Sequence, residues 1–345
     1  MQNLLHIFDR PFVESHTSIR EGEHKIGQTI ALLDHEGDLV DALRDCNVKF
    51  ALIFVPEDIG VRANLGRPGA SKTWEPALRG ICNLQDNYYL SGAEMLLLGA
   101  LDVDDLMNEA DKADASTPEG IAKLRELTSQ VDDRLRTILA QIYKADIFPI
   151  IIGGGHNNSY PNLVSWCDVH DSVLSCINLD PHADYRNMEG RHSGNGFRYA
   201  HEEGGLDRYA VVGLHEGYNS RSMVDELRHD PDLRYSTFED IAVRRIQTFE
   251  QAVVDSLDFV SEGPFGIELD LDAIPRIPVS ASTPTGFSLE QARHYVHLAA
   301  SRPESVYLHI CEGSAGLAED RLLPELSKTI ASLVADGIKA KRNID

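Results

Sequence analysis

Asp180, His182 and Asp184 stand at alternate positions just after an apolar run, Val173-Leu174-Ser175-Cys176-Ile177. In extended chain, side chains two residues apart share a face. A face of two carboxylates and an imidazole makes a poor core surface and a good cradle for a divalent cation. Two further stretches repeat the pattern. Phe148-Pro149-Ile150-Ile151-Ile152 runs into Gly153-Gly154-Gly155-His156, where glycines let the backbone turn and approach a ligand closely. Phe265-Gly266-Ile267-Glu268-Leu269-Asp270-Leu271-Asp272 ends with Asp270 and Asp272 on one face. Together the clusters offer four aspartates and two histidines. No cysteine joins them, so Mn²⁺ is favoured over Zn²⁺. Four carboxylates exceed the needs of one ion, which points to a metal pair with bridging aspartates. Such a pair activates water for hydrolysis, with Asp184 as the candidate proton acceptor.

The order and spacing of G-G-G-H, D-x-H-x-D and D-x-D resemble the three metal signatures of the arginase/agmatinase (ureohydrolase) family, across residues 62–312. The resemblance implies two Mn²⁺ per chain. His156, Asp180, Asp184 and Asp270 would hold one and His182 and Asp272 the other, with Asp180 and Asp270 bridging. It also implies that Glu312 meets a cationic amidine. Two loops are similar to formimidoylglutamases in particular. Ser193-Gly194-Asn195-Gly196-Phe197 carries Phe197 where arginases have a proton-shuttling histidine, and Arg186 follows the D-x-H-x-D. Gly213-Leu214-His215-Glu216-Gly217-Tyr218-Asn219-Ser220 resembles that subfamily's G-I-Q…N-T stretch, with His215 and Ser220 departing from it.

The implied reaction is hydrolysis of a C–N bond in a linear amidine, N-formimidoyl-L-glutamate giving L-glutamate and formamide in histidine degradation. Arg186 offers the bidentate fork that suits a substrate carboxylate, and Ser193, Asn195 and Asn219 are candidate donors beside it. A guanidino substrate (agmatine, guanidinobutyrate or arginine) is the alternative of the same chemistry. A metal-free binding protein on this scaffold is the alternative of another class; against it, all six ligands are present. Glu268 is open to two readings, a support for the metal ligands or a buried hydrogen-bonded carboxyl.

The elements that must position these residues alternate. Apolar runs at 49–55, 94–101, 148–152, 173–179, 209–214, 265–270 and 305–311 read as strands. Helical patterns at 37–45, 74–84, 117–144, 246–261, 288–300 and 320–334 lie between or after them. Leu124, Leu127, Val131, Leu135, Ile138, Leu139 and Ile142 fall on one helical side and predict a core-facing stripe. Alternation of this kind predicts a three-layer α/β/α domain with a mainly parallel, arginase-like sheet. Ligands then lie outside the carboxyl ends of the strands, where all three clusters stand. Residues 1–35 read as an irregular arm packing on the sheet and 36–345 as one catalytic domain; the charged stretch 102–116 reads as a solvated loop.

A net charge of −23 over 345 residues argues against nucleic acid and anionic membranes as partners. The five scattered cysteines include no C-x-x-C and read as free thiols. The first residues lack a basic start and a long apolar region, and no apolar run reaches membrane-spanning length. The expectation is a cytoplasmic enzyme of small molecules, with homo-oligomerisation implied by the family resemblance.

Overall fold

The computed structural model describes residues 4–33 and 37–342. The first part of the chain runs β1 (Leu5–His6), α1 (Arg10–Ser15), α2 (Ile26–Thr29), β2 (Ala31–Leu32), α3 (Leu39–Asp45), β3 (Phe50–Phe54), α4 (Ile59–Ala63), α5 (Trp74–Cys82), β4 (Met95–Leu101) and α6 (Asp104–Ala110). The middle follows as α7 (Pro118–Lys144), β5 (Phe148–Ile152), α8 (Ser159–His170), β6 (Leu174–Leu179), α9 (Gly196–Glu202), β7 (Leu206–Leu214), α10 (Arg221–His229) and β8 (Leu233–Thr237). The chain then closes with α11 (Phe249–Val260), β9 (Phe265–Asp270), α12 (Leu289–Ala300), β10 (Ser305–Cys311) and α13 (Leu323–Arg342).

The strands form one sheet in the order β1-β4-β3-β5-β10-β9-β6-β7-β8, with β2 also on β4. Among the strands of the described residues, only the β1–β4 pairing is antiparallel. Strand residues alternate between two buried clusters: Phe50, Leu52 and Phe54 face one, Ala51 and Ile53 the other. Helices α5, α11, α12 and α13 cover the first face and α3, α7, α8 and α9 the second, giving the expected three layers. The α7 stripe is buried in full, and Thr117 caps that helix by accepting from the Gly120 N–H at 3.1 Å, with Pro118 at a first-turn position that needs no N–H.

One feature of the order matters most for chemistry. Strands β5, β10, β9 and β6 are consecutive neighbours at the sheet centre. Their registers are level, Leu179 opposite Leu269 and Cys311 opposite Asp270. Four segments far apart in sequence therefore end side by side.

Several local expectations differ from the structure. Residues 4–33 do more than pack on the sheet, because β1 and β2 hydrogen-bond to β4 and extend its edge. The boundary expected at residues 35 and 36 lies outside the described residues. The charged stretch after β4 holds α6, whose Leu106 and Ala110 are buried while the acidic residues face out; α6 is short, so charge masked its apolar side. Strand β8, at the far edge, was not expected, since Leu233-Arg234-Tyr235-Ser236-Thr237 buries only its ends. The closing helix extends to Arg342.

Candidate metal centre

The three clusters leave their strands by three devices. After β5, Gly153 (φ 91°) and Gly154 (φ 73°) take left-handed conformations. A Cβ on Gly154 would lie 2.1 Å from Asn158 Nδ2 and 2.8 Å from Glu57 Oε1, so only glycine fits there. After β6, Asp180 Oδ1 accepts the His182 N–H at 2.6 Å, while Asn178 Nδ2 donates to Asp180 Oδ2 at 3.0 Å. After β9, Asp270 Oδ1 accepts the Asp272 N–H at 2.7 Å. Both aspartates thus commit one oxygen to the N–H two residues ahead and turn the other towards His156.

All six candidate ligands converge. His156 Nδ1 lies 3.1 Å from Asp180 Oδ2, 2.9 Å from Asp184 Oδ2 and 3.4 Å from Asp270 Oδ2. His182 Nδ1 lies 3.4 Å from Asp180 Oδ1 and 3.7 Å from Asp272 Oδ2. Asp180 therefore faces both imidazoles, one with each oxygen. Glu312, just past β10, accepts the His156 backbone N–H at 2.9 Å through Oε1.

The electrostatics suit a site that takes cations. Burial and the neighbouring carboxylates, Asp270 first, push Asp272 and Glu312 well above the usual carboxylate range. Burial and Asp180 push Asp270 up to about 6. Burial also raises Asp180, but His156 and His182 outweigh it and hold it at about 2. Such a concentration of buried carboxylates is costly without counter-charge. His156 Nδ1 and Asp272 Oδ1 are buried and lack hydrogen-bond partners. An oxygen-rich donor set with imidazole, orphaned atoms and excess negative charge fits divalent manganese well.

His182, Asp184, Asp270, Asp272 and Glu312 floor a cavity of about 300 Å³, lined also by Asn64, Arg186, Ser193, Tyr218, Asn219 and Ser280, while His156 and Asp180 are fully buried outside the lining. Arg186 is exposed at its rim, and among the described residues its guanidinium has no carboxylate partner. Ser193 Oγ accepts from Asn64 Nδ2 at 3.3 Å. Tyr218 stacks on the His182 ring at 5.8 Å between centroids.

Two expected substrate donors are committed elsewhere. Asn195 is buried outside the lining; its Oδ1 accepts from Arg191 NH1 and the His192 N–H, and its Nδ2 donates to the Asn187 and Gly190 carbonyls. It ties the loop together and has no donor free. Asn219 reaches the cavity, yet its amide is bound to Ala183 N–H and to the Pro181 and His215 carbonyls. Phe197 also lies outside the lining, edge-on to His156 at 5.1 Å and stacked on Tyr209 at 4.2 Å.

Sequence reasoning missed Glu57. Its Oε1 accepts from Gly155 N and the Asn157 and Asn158 amides, and its Oε2 from Ile59 N and Gly60 N. The signal was available, since Glu57 follows an apolar strand much as the candidate ligands do. Among the described residues, no helix is long and apolar enough to cross a membrane. The five cysteines are free, with Cys82, Cys176 and Cys311 buried.

Comparison with known proteins agrees with this architecture. The arginase family model matches residues 48–335. The formimidoylglutamase of Geobacillus sp. (strain WCH70) is 24% identical over 319 residues, covering 91% of this chain and 88% of that protein. The crystal structure of formimidoylglutamase from Bacillus subtilis superposes with a TM-score of 0.73 at 18% identity, over 95% of both chains. Trypanosoma cruzi formiminoglutamase with Mn²⁺ gives 0.70 at 18% identity, over 92% of this chain and 99% of that one.

Proposed function

The chain belongs to the arginase family, and from that premise we propose that it is a binuclear manganese hydrolase of linear amidines bearing carboxylates, with N-formimidoyl-L-glutamate the leading substrate. The observation that carries the reading is the pairing of two features in one cavity. Four of the six ligand-type side chains line it, with His156 and Asp180 buried against them, and at its rim stands Arg186, which among the described residues has no carboxylate partner. Relatives along most of the chain carry the formimidoylglutamase name, which supports the substrate class.

His156, Asp180, Asp184 and Asp270 would hold one ion, and His182 and Asp272 the other, with Asp180 and Asp270 shared. Manganese bound there would supply the Lewis acidity that brings the pKa of water towards neutrality. The chain's own residues do the remaining work. Glu312 is fixed through its bond to His156 N–H and sets a carboxylate opposite the amidine cation. Asp184, the most accessible of the four aspartates, accepts the proton of the attacking water and returns it to the leaving nitrogen. The amidine C–N bond breaks, releasing formamide and the free amino acid. Arg186 and Ser193 meet the substrate's anionic end, and a cationic far end such as agmatine's would be repelled by Arg186.

The test is a panel of formimidoylglutamate, arginine, agmatine and guanidinobutyrate with Mn²⁺-loaded protein, alongside metal analysis. Fastest turnover of formimidoylglutamate is expected. Faster hydrolysis of agmatine or arginine would replace the substrate assignment, and a protein that takes up no Mn²⁺ would remove the metal reading itself.

A further inference from the structure

Behind His156, on the side away from the cavity, lies a polar group that the proposed reaction does not use. Glu268, His309, Tyr307 and Asn162 are packed in the sheet and under α8. Glu268 and His309 are fully buried. A buried carboxylate is costly unless its environment compensates it. Here Glu268 Oε1 accepts from Tyr307 OH at 2.7 Å and Asn162 Nδ2 at 3.1 Å. Its Oε2 lies 2.5 Å from His309 Nδ1 and 3.4 Å from His156 Nε2. The far nitrogen of His309 faces the Gly153 carbonyl at 3.4 Å, on the glycine turn that carries His156.

His156 has one nitrogen for each side. Nδ1 faces the three aspartates and Nε2 faces Glu268, and both lack hydrogen-bond partners. A metal needs the lone pair on Nδ1, which in the neutral ring requires the proton on Nε2. A carboxylate at Nε2 selects that tautomer, orients the ring and raises its basicity. We propose that Glu268, itself fixed by His309, Tyr307 and Asn162, is a positioning residue that presents Nδ1 of His156 to a metal ion. This rests on the two-metal reading above. Glu268 touches neither substrate nor metal in this arrangement; it acts through His156.

The arrangement makes the isosteric amide informative. Both oxygens of Glu268 face donors, so the –NH₂ of a Glu268→Gln side chain must oppose either the Tyr307 and Asn162 pair or the His309 and His156 pair. Mn²⁺ titration of the full-length protein, read by calorimetry and by electron paramagnetic resonance, tests the proposal without relying on activity. Glu268→Gln should weaken the ion held by His156 by ~10–100-fold and leave the ion held by His182. The exchange-coupled signal of the pair should give way to the hyperfine pattern of isolated Mn²⁺. Glu268→Asp, which keeps the charge but draws it back from Nε2, should weaken the same ion, and it decides the matter should Glu268→Gln not fold. Unchanged affinity for both ions in a folded variant, even with a lowered melting point, would make Glu268 a core buttress only and overturn the proposal. A wild-type protein that binds no Mn²⁺ fails at the earlier step and overturns the metal reading as well.

Discussion

Replacing Glu57 with glutamine offers a direct check on how the glycine turn is held. Five N–H groups converge on this carboxylate: Gly155 N at 2.9 Å and the Asn157 and Asn158 amides at 3.2 Å on Oε1, with Ile59 N at 2.7 Å and Gly60 N at 3.3 Å on Oε2. Burial pushes the carboxyl up, but the converging donors call for an acceptor on both oxygens. In Glu57→Gln the –NH₂ opposes either the Ile59 and Gly60 donors or the Gly155, Asn157 and Asn158 donors, so at least two donors lose their acceptor whichever way the amide turns. Each buried donor left unsatisfied costs about 1–3 kcal/mol, and the Gly60 contact is long, so roughly 2–4 kcal/mol is expected in total. For 345 residues at ~2.1 cal/mol/K each, the unfolding entropy is about 0.7 kcal/mol/K, so the midpoint should fall by roughly 3–6 °C. Calorimetry on metal-free protein measures this without any contribution from bound ions. A midpoint within about 1 °C of wild type would refute the reasoning. The same variant should bind Mn²⁺ less tightly, because Gly155 positions His156.

Three further outcomes follow from the site. Asp180→Ala removes the carboxylate that faces both imidazoles, so both ions should be lost. His182→Ala should lose only the second; plasma mass spectrometry of dialysed protein distinguishes them, and retention of both ions by Asp180→Ala would refute the bridging role. Arg186→Ala should raise KM by roughly 5–30-fold, about 1–2 kcal/mol, because its exposed position screens what a buried pair would contribute. The effect should fall on KM rather than kcat, and a fall in kcat at constant KM would place Arg186 elsewhere in the reaction. Burial, with help from Arg125, Arg186 and Arg191, holds His192 down at about 3, against 6.5 when free. The unfolded chain thus binds the extra proton between these values, and stability present above pH 6.5 is lost as pH falls towards 3. His192→Asn keeps an acceptor for the Gly194 N–H, which His192 Nδ1 accepts at 3.1 Å. Chemical denaturation at pH 7 and pH 5 should show a smaller loss in that variant; equal losses would show that His192 does not carry the slope.

The candidate metal ligands were legible because their signal is local. Asp180, His182 and Asp184 announce themselves by alternation at the end of an apolar run, and Asp270 and Asp272 by the same rule. Strand and helix types followed from apolar period, except where charge or brevity hid it, as in α6 and β8. Which strands are neighbours was not legible. The order β5-β10-β9-β6 is set by crossovers whose lengths say little about where a strand lands. Asn195 shows the converse limit. Its residue type suits a substrate donor, but only the fold reveals that Arg191, held by Asp132 at 2.8 Å, already claims its oxygen.

Asp184 and Glu312 make the strongest case for why some of the site could not be read in advance. Both are non-glycine residues in the left-handed region, at φ 45° and 62°. That conformation costs an L-residue roughly 1–2 kcal/mol and persists only where the surroundings impose it. Here the neighbours are pinned from afar. Ala183 is held on one side of Asp184 by Asn219 and Tyr209, and Arg186 donates its N–H to Gly194 O on the other. Glu312 donates its N–H to Gly154 O, and Thr73 holds the Gly313 carbonyl. The two carboxylates assigned to proton transfer and amidine binding are therefore aimed by contacts distant in sequence. Asn219, which by residue type read as a substrate donor, contributes by fixing the backbone that turns Asp184 into the cavity.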